Sequence, residues 1–475
     1  MRRPAVVVAG GSVSGLATAL ALAGHGFPVR VLERSAPPPD PADPHAALER
    51  PATAQSTHSH VLTSLGVQLL RERAPQVLEA LLDAGAQLLD LTAAAPRGDR
   101  PFVREAADDE LVTLAVRRPV LEAVLRRAVQ DRPGIEVSHG TAVRAVVLDA
   151  AGERPVAVVT AAGGRIAADI VVDATGRRSL AGARPRAGAD RTGPTTLRAF
   201  TRFYRLADPG TQPGPLNRGN AAGNIWGHYA AVLHPADRGT FAVTLGTLPG
   251  DAPTAALRGA AAFTAAARLS PGVTQWLAKG VSAPITPVRA ITMPANVLRA
   301  APGERDAGGV FAVGDAACVT DPIFGRGMSL ALVHAFRLAD LLADHPQPDG
   351  AQRKLAADLA DELLRPWYEQ AEHDSVQRTL AWRAAAGGPE PNPAPPLPPG
   401  RPSLAEVSAA AGDPVVWRGL MRMLMTLRTP AGVFDDEGFR ARVRAAAGRP
   451  RPAGPLVPPT RAELLHAVST GGRGT

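Results

Sequence analysis

Cysteine and lysine are scarce in this sequence of 475 residues, which contains one cysteine, Cys318, and two lysines, Lys279 and Lys354. A single cysteine excludes an internal disulfide framework and a zinc site built from several cysteines. It favours a reducing compartment, so we expect a cytoplasmic protein. No run of 18 or more apolar residues occurs, and the sequence therefore predicts no membrane-spanning helix.

Positive charge, in contrast, is abundant: the net charge is +8, and 50 of the 52 basic residues are arginines. The arginines are scattered, and glycine (47) and proline (46) are also frequent, as expected when a GC-rich genome biases codon use. We therefore predict no nucleic-acid partner, while an anionic partner other than a phosphorylated cofactor stays an open alternative. Hydrophobic residues make up 45% of the chain, enough for a large core in two or three domains.

The first 33 residues carry a dinucleotide-binding pattern. An apolar strand at 5–9 leads into Gly10-Gly11-Ser12-Val13-Ser14-Gly15, a helix over 16–23 and a second strand at 29–32 that ends at Glu33. Gly10 permits a tight turn, and Gly15 lets the helix approach the strand. The helix N-terminus would bind a pyrophosphate, and Glu33 would accept hydrogen bonds from ribose hydroxyls.

The remaining pattern predicts mixed helix and sheet. We expect helices over 61–89 and 119–130, strands over 135–138, 142–148, 156–161 and 166–174, and a β-rich insert over 195–206, 224–234 and 239–248. Helical segments near 254–279, a strand at 308–314 and helices at 326–342 and from 350 onward follow. The proline-dense stretch 389–402 predicts an extended spacer. The aromatic residues of the insert are predicted to wall an apolar pocket, with sheet packing as the alternative: Phe200, Phe203, Tyr204, Trp226, Tyr229 and Phe241.

Two further motifs follow buried strands. The first is Asp173-Ala174-Thr175-Gly176-Arg177, and the second runs from Gly314-Asp315 to Asp321-Pro322-Ile323-Phe324-Gly325-Arg326-Gly327-Met328-Ser329. With the glycine turn at residue 10, in this order and spacing, they resemble the FAD-dependent monooxygenases with the para-hydroxybenzoate hydroxylase fold, over roughly residues 1–345. The segments 55–62, 118–122 and 364–368 are similar to bacterial natural-product epoxidases and hydroxylases, including the polyether and polyene epoxidases. Thr57, Ser329 and His334 depart from the residues usual in these relatives.

The resemblance implies an α/β fold with a Rossmann-like FAD-binding domain of the ββα three-layer type, formed by residues 1–180 and 281–345. A β-sheet substrate domain would occupy 181–280. A C-terminal helical region over 346–475 would contain the spacer at 389–402.

The resemblance also implies site residues. Pro322, Gly325, Gly327 and His58 would form the catalytic part, with packing in a loop as the alternative for His58. The predicted FAD-binding residues are Gly10, Gly11, Ser12, Ser14, Gly15, Glu33, Arg34, Arg118, Asp173, Gly176, Gly314, Asp315, Gly325, Arg326, Gly327, Met328 and Ser329. For Asp173, simple strand capping is the alternative. No metal is expected.

The implied activity is insertion of one oxygen atom from O2 into an apolar small molecule, by epoxidation or hydroxylation through a flavin C4a-(hydro)peroxide. NADPH or NADH bound transiently, or a partner flavin reductase, would supply electrons, since the sequence has no second glycine-rich nucleotide motif. The setting would be secondary metabolism. The alternatives are a flavin-dependent reductase of a prenyl or polyene chain and a non-catalytic FAD-fold lipid carrier. A halogenase is not supported, because the sequence has no Trp-x-Trp-x-Ile-Pro stretch. The oligomeric state stays open.

Overall fold

A computed structural model describes residues 3–38, 55–97, 102–180, 191–192, 196–299, 307–388, 396–447 and 457–471. In chain order, the strands within these ranges are β1 (Val6–Ala9), β2 (Val29–Leu32), β3 (Gln87–Asp90), β4 (Val112–Ala115), β5 (Ile135–Ser138), β6 (Val143–Leu148), β7 (Pro155–Thr160), β8 (Arg165–Ala167), β9 (Ile170–Asp173), β10 (Arg191–Thr192), β11 (Arg198–Leu206), β12 (Ala222–Ile225), β13 (Ala230–Pro235), β14 (Thr240–Thr247), β15 (Ser282–Pro284), β16 (Arg289–Thr292), β17 (Val297–Leu298), β18 (Val310–Ala312) and β19 (Cys318–Val319).

The helices of the described residues follow the same numbering. They are α1 (Val13–Gly24), α2 (Ser64–Arg73), α3 (Pro75–Asp83), α4 (Arg118–Gln130), α5 (Ala260–Arg268), α6 (Pro271–Thr274), α7 (Gly327–Asp344), α8 (Gly350–Ala385), α9 (Leu404–Ala410), α10 (Pro414–Leu424), α11 (Pro430–Phe434), α12 (Glu437–Ala447) and α13 (Arg461–Gly471). The segment predicted as one helix over 61–89 is α2, α3 and β3, because the chain turns at Ala74 and Pro75 begins a new helix.

A five-stranded parallel sheet in the order β18-β9-β1-β2-β5 forms the FAD-domain layer that the sequence predicted. Its three central strands, β9, β1 and β2, are buried on both faces, as apolar runs in a parallel sheet require. Val6 and Val8 pack toward α1, α4 and α7, whereas Val7 packs toward the antiparallel sheet β6-β7-β8. The predicted three-layer ββα arrangement is confirmed.

A six-stranded antiparallel sheet follows, with β12-β13-β14-β11-β15 as its order and β16 paired to β11. The stretch predicted as one strand over 224–234 is the hairpin β12–β13, which turns between Ile225 and Ala230. Adjacent residues of a strand point to opposite faces, so each strand of this sheet contributes to two different environments. One face packs on α5, α6 and α13.

The C-terminal helices pack on the FAD domain. Trp367 and Tyr368 of α8 are buried with Leu330 of α7 and with residues of α9, α10 and α12. Within the predicted spacer, 389–395 lies outside the described residues, and 396–402 has no regular structure. The predicted domain boundaries stay predictions. No helix among the described ranges combines the length and apolar character needed to cross a membrane.

Candidate active site

One cavity of about 710 Å³ lies between the carboxyl edge of the parallel sheet and the six-stranded sheet. At one end its lining includes Gly10 and Glu33, which follow β1 and β2. At the other end it includes Thr201 of β11 and Val232 of β13. Ligands of open α/β sheets bind outside the carboxyl ends of the strands, so this is the expected place for a cofactor. We call the two sides the cofactor wall and the sheet wall.

The glycine turn on the cofactor wall has the geometry that the sequence predicted. Gly10 has a φ of +111°, and a Cβ there would lie 2.3 Å from the carbonyl oxygen of Ala174. A Cβ on Gly15 would lie 1.9 Å from the carbonyl oxygen of Gly10. Only glycine therefore allows α1 to begin this close to β1 and β9. The first free N–H groups of α1 end up beside the cavity, where an anion would be stabilised.

Glu33 and Ser12 fix this turn through side-chain hydrogen bonds. The Glu33 carboxylate is buried and accepts from the backbone N–H of Gly11 at 2.7 Å and of Ser35 at 2.8 Å. Ser12 Oγ donates to the buried carboxylate of Glu122 and accepts from Arg118 Nη2 at 3.0 Å. Arg118 Nε also donates to Glu122 at 2.9 Å. Glu122 was not among the predicted site residues, although its spacing of four from Arg118 on one helix indicates the pair.

Asp315 stands on the same wall after β18 and makes no side-chain hydrogen bond within the described residues. Burial raises the pKa of its carboxyl, while the cations Arg118, Arg177 and Arg299 act in the opposite direction. A carboxylate with open acceptor positions beside a cavity suits the hydroxyls of a ribityl chain. Nearby Cys318 is held as a thiol, because burial, helped by Asp315, raises its pKa to about 12. This agrees with packing rather than redox work for that cysteine.

The N-terminus of α7 supplies the next part of the cofactor wall. Pro322, Gly325, Gly327 and Met328 all line the cavity. Gly325 has a φ of +65°, a left-handed conformation that ends the short turn 322–324. A Cβ built on Gly327 meets nothing within 4 Å, so it would project into open space. The positive end of the α7 dipole therefore faces the cavity, where it favours negative charge.

Fifteen of the 19 predicted site residues line the cavity, and four do not. Gly15 lies beneath the glycine turn. Asp173 accepts four hydrogen bonds from its own loop, from Thr175 N and Oγ1, Ser179 Oγ and Leu180 N, which are the contacts expected of the strand-capping alternative. The Arg326 side chain turns toward α8, and Ser329 Oγ accepts from the backbone N–H of Thr63 at 3.1 Å. The lining members are Gly10, Gly11, Ser12, Ser14, Glu33, Arg34, His58, Arg118, Gly176, Gly314, Asp315, Pro322, Gly325, Gly327 and Met328.

A chain of hydrogen bonds crosses the sheet wall. His58 Nδ1 pairs with Thr201 Oγ1 at 2.8 Å, Thr201 with Thr244 Oγ1 at 2.9 Å, and Thr244 with Ser59 Oγ at 2.8 Å. Burial lowers the pKa of His58 to about 4, so the imidazole is neutral at neutral pH. Burial, with the Arg118 cation second, lowers the pKa of His60 to about 3.

The prediction that insert aromatics wall the pocket is wrong. None of the six lines the cavity; Phe203 is buried elsewhere, and the other five belong to the core on the opposite face of the sheet. There Phe241 stacks on Tyr204, with ring centroids 5.3 Å apart. Because side chains alternate along a strand, the cavity face receives their small neighbours. The residues on the cavity face are Ala199, Thr201, Ala230, Val232, His234, Thr244 and Gly246.

Helix α8 contributes residues that sequence reasoning missed. The buried Asp321 accepts from Ser375 Oγ at 2.6 Å and pairs with Arg378, which is also buried. The fully buried Arg326 guanidinium lies 4.6 Å from the ring centroid of Phe324 and 4.9 Å from that of Trp367. Through Asp321 and Arg326, the turn that precedes α7 is therefore joined to Ser375, Arg378 and Trp367 of α8. No sequence signal indicates them, because the partners are about 40 to 57 positions apart.

Residues 3–213 match the family described as FAD binding domain. The match covers less than half of the chain and concerns the FAD-binding part alone. The glycine turn, the partly open carboxylate of Asp315 and the space in front of Gly327 fit that cofactor. Among curated proteins, no sequence relative matches the chain.

Solved structures share the fold beyond the FAD-binding domain. PqsL, a probable FAD-dependent monooxygenase from Pseudomonas aeruginosa, has 17% identity and a TM-score of 0.58, covering 81% of this chain and 98% of its own. p-Nitrophenol 4-monooxygenase PnpA from Pseudomonas putida DLL-E4 has 17% identity and a TM-score of 0.60, covering 90% and 99%. The flavin-dependent brominase Bmp2 has 16% identity and a TM-score of 0.56, covering 94% and 98%. The predicted resemblance to FAD-dependent monooxygenases is confirmed at the level of the fold.

Proposed function

We propose that this chain is an FAD-dependent monooxygenase that inserts one oxygen atom from O2 into an apolar small molecule, by epoxidation or hydroxylation. The observation that carries the proposal is that one cavity joins the glycine turn, the N-terminus of α7 and the six-stranded sheet. Bound FAD would supply the redox chemistry by accepting a hydride and activating O2. The monooxygenase names of PqsL and PnpA support the same reaction class.

The cofactor wall would hold FAD through groups at the ends of strands. The turn at Gly10 and the first N–H groups of α1 would bind the pyrophosphate, and Glu33 would accept from the adenosine ribose. Asp315 would accept from the ribityl hydroxyls. The N–H groups of Gly327 and Met328 would face the flavin pyrimidine, where the α7 dipole stabilises negative charge.

The sheet wall would hold the substrate. Ala199, Ala230 and Gly246 leave space for an apolar body and, once it is bound, water is displaced from the reacting region. His58 binds Thr201 through Nδ1, which leaves Nε2 without a partner among the described residues. The neutral ring would therefore orient a polar group of the substrate by one hydrogen bond, a role that needs no change of charge.

We further propose that NADPH or NADH binds transiently, or that a partner flavin reductase supplies the electrons, and that the reaction serves secondary metabolism. A cytoplasmic setting follows from the need for NAD(P)H and agrees with the single cysteine. Among activity classes, an oxygen-inserting oxidoreductase of the 1.14 type is the one proposed.

The decisive experiment incubates FAD-loaded protein with NADPH, 18O2 and a library of apolar precursors. We expect a product heavier than its precursor by one 18O atom, together with substrate-dependent NADPH loss. Heat-released FAD verifies the cofactor, and protein stripped of FAD is the control. A product that gains two hydrogens without oxygen would identify a reductase. Tight precursor binding with no NADPH loss under any condition would identify a carrier.

A further inference from the structure

The sheet wall contains a cation that no described acidic residue neutralises. Arg218 lines the cavity, yet its guanidinium has neither a hydrogen bond nor an ion pair within the described residues. Its pKa is lowered by burial alone, so no charged side chain is close enough to offset that burial. The acidic residues that line the cavity, Glu33 and Asp315, both belong to the cofactor wall. The residue is half-buried, and a half-buried cation without an acidic partner favours an anionic ligand.

Two more polar side chains beside Arg218 are also unpartnered. Asn220 is 8% exposed, lines the cavity and makes no side-chain hydrogen bond within the described residues. His234 of β13 lines the same region, and its Nδ1 is buried without a partner. Burial, with Arg218 as the second cause, lowers the pKa of His234 to about 3, so its ring is a neutral donor. Buried polar groups in proteins are nearly always paired, so the unpaired Nδ1 of His234 favours a polar ligand here, as do the open hydrogen-bonding groups of Arg218 and Asn220 in the cavity lining.

The turn that carries Arg218 and Asn220 is held in place. Gly219 N donates to Leu216 O at 2.8 Å, and Arg218 N donates to Ala221 O at 3.0 Å. Asn217 ties the turn to β12, because its Nδ2 donates to Gly223 O at 3.0 Å and its Oδ1 accepts from Gly223 N at 2.8 Å. The backbone around both side chains is therefore fixed before any ligand binds, which reduces the entropy lost on binding.

We propose that Arg218, Asn220 and His234 form an anion subsite that binds a carboxylate of the substrate. The guanidinium supplies the charge and a planar pair of donors, and the amide and imidazole supply neutral donors. The apolar body would extend from this subsite along Ala230 and Val232. The substrate is then an amphipathic carboxylate rather than a wholly apolar molecule. Only the statement that this anion is the substrate rests on the proposed function. Binding of the anion itself can be measured without turnover.

The test is calorimetric titration of the FAD-containing protein with matched pairs of probes. Each pair has one apolar body, as in 4-phenylbutanoate and 4-phenylbutan-1-ol, decanoate and decan-1-ol, or cinnamate and cinnamyl alcohol. We expect at least one carboxylate to bind about tenfold or more tightly than its alcohol, as a charge-assisted hydrogen bond allows. Arg218→Gln should abolish this preference, and Arg218→Lys should retain part of it.

Arg205→Gln is the matched control, because Arg205 lies on β11 of the same sheet, is exposed and does not line the cavity. It should leave the preference intact. If no carboxylate binds more tightly than its alcohol, or if Arg218→Gln keeps the preference, the subsite is wrong. If Arg218→Gln instead weakens FAD or NADPH binding and spares the probes, Arg218 serves the cofactor and the proposal also fails. Oxygen incorporation into an alcohol in the 18O2 assay would leave the proposed function intact in each case.

Discussion

The two walls of the cavity are built in opposite ways. The cofactor wall consists largely of backbone at the ends of parallel strands, with glycine at 10, 314, 325 and 327. The sheet wall consists of side chains from alternate positions of three antiparallel strands. The first wall is determined by short contiguous motifs, so it is readable in the sequence. The second depends on which face of each strand turns toward the cavity, which only the assembled sheet decides.

The largest expected effect lies behind the sheet wall. Phe241→Ala removes a fully buried ring that packs on Tyr204 and Trp276, and unfolding should become easier by about 3–5 kcal/mol. Denaturant unfolding monitored by circular dichroism measures this. If the aromatic residues behind the sheet wall determined ligand binding, ligand affinity would also fall, measured at a temperature where the variant is folded. We expect such binding to change little.

The cofactor wall should respond in the reverse manner. Asp315→Ala removes the carboxylate predicted to hold the ribityl chain, and FAD affinity should fall by ~1.5–3 kcal/mol, the range for a hydrogen bond to a charged group. Apoprotein stability should change little, because Asp315 has no internal hydrogen bond to lose. Flavin fluorescence titration and thermal unfolding of the apoprotein give the two values. The control is Asp344→Ala, at the exposed far end of α7. Equal losses of FAD affinity in both variants would contradict this role.

Acid should weaken the sheet wall selectively. His58 has a pKa of about 4 in the folded chain, against the ordinary histidine value of 6.5. Below pH 6.5 the unfolded chain therefore binds a proton at this histidine that the folded chain does not bind. Stability is therefore lost as pH falls from 6.5 to about 4. In His58→Gln this loss should be smaller by roughly 1–2 kcal/mol, since one pKa unit corresponds to about 1.4 kcal/mol and the ring borders a cavity. Unfolding free energies at pH 7.5 and 4.5 test it, and identical pH slopes would refute it.

The smallest stability effect should come from the cavity face itself. Val232→Ala should cost about 1 kcal/mol or less, because the removed methyl groups already border open space. Its neighbour Leu233 is fully buried on the other face, and Leu233→Ala should cost about 2–5 kcal/mol. Ligand size preference, measured with probes of increasing width, should shift only in Val232→Ala. Equal stability losses in the two variants would contradict the prediction that the two faces of β13 contribute differently to stability.

The contrast between the walls also explains what could be predicted from the sequence. Several features follow from strand–turn–helix motifs, each of which spans no more than about 35 residues. They are the ββα layers, the glycine turn and the lining positions at Glu33, Asp315 and Gly327. The strands of the insert were also predictable from their content. Which face of each strand lines the cavity was not predictable, because a shift of the strand by one position would place Phe200 at the cavity instead of Ala199.

Residues that act across long chain separations escaped prediction for a different reason. Ser329 lies in a motif that implies FAD contact, but its side chain accepts a hydrogen bond from the backbone of Thr63 at the start of α2, 266 positions earlier. Ser375 and Arg378 reach Asp321 over more than 50 positions. Such pairs leave no periodic signal in one sequence, because tertiary packing alone brings them together.

Helix α8 sets the spacing between the walls. Its 36 residues extend about 54 Å at the ordinary helical rise. Ser375 and Arg378 hold the turn before α7, and one turn further on Trp382 Nε1 donates to Trp226 O beside the β12–β13 hairpin at 2.9 Å. Moving the walls apart would break these buried contacts, and breaking the ion pair of Asp321 and Arg378 alone would cost about 3–5 kcal/mol. The width of ligand that the cavity accepts is thus determined by α8, which contributes to neither wall. Substitutions in α8, far along the chain from the cavity lining, can therefore change that width.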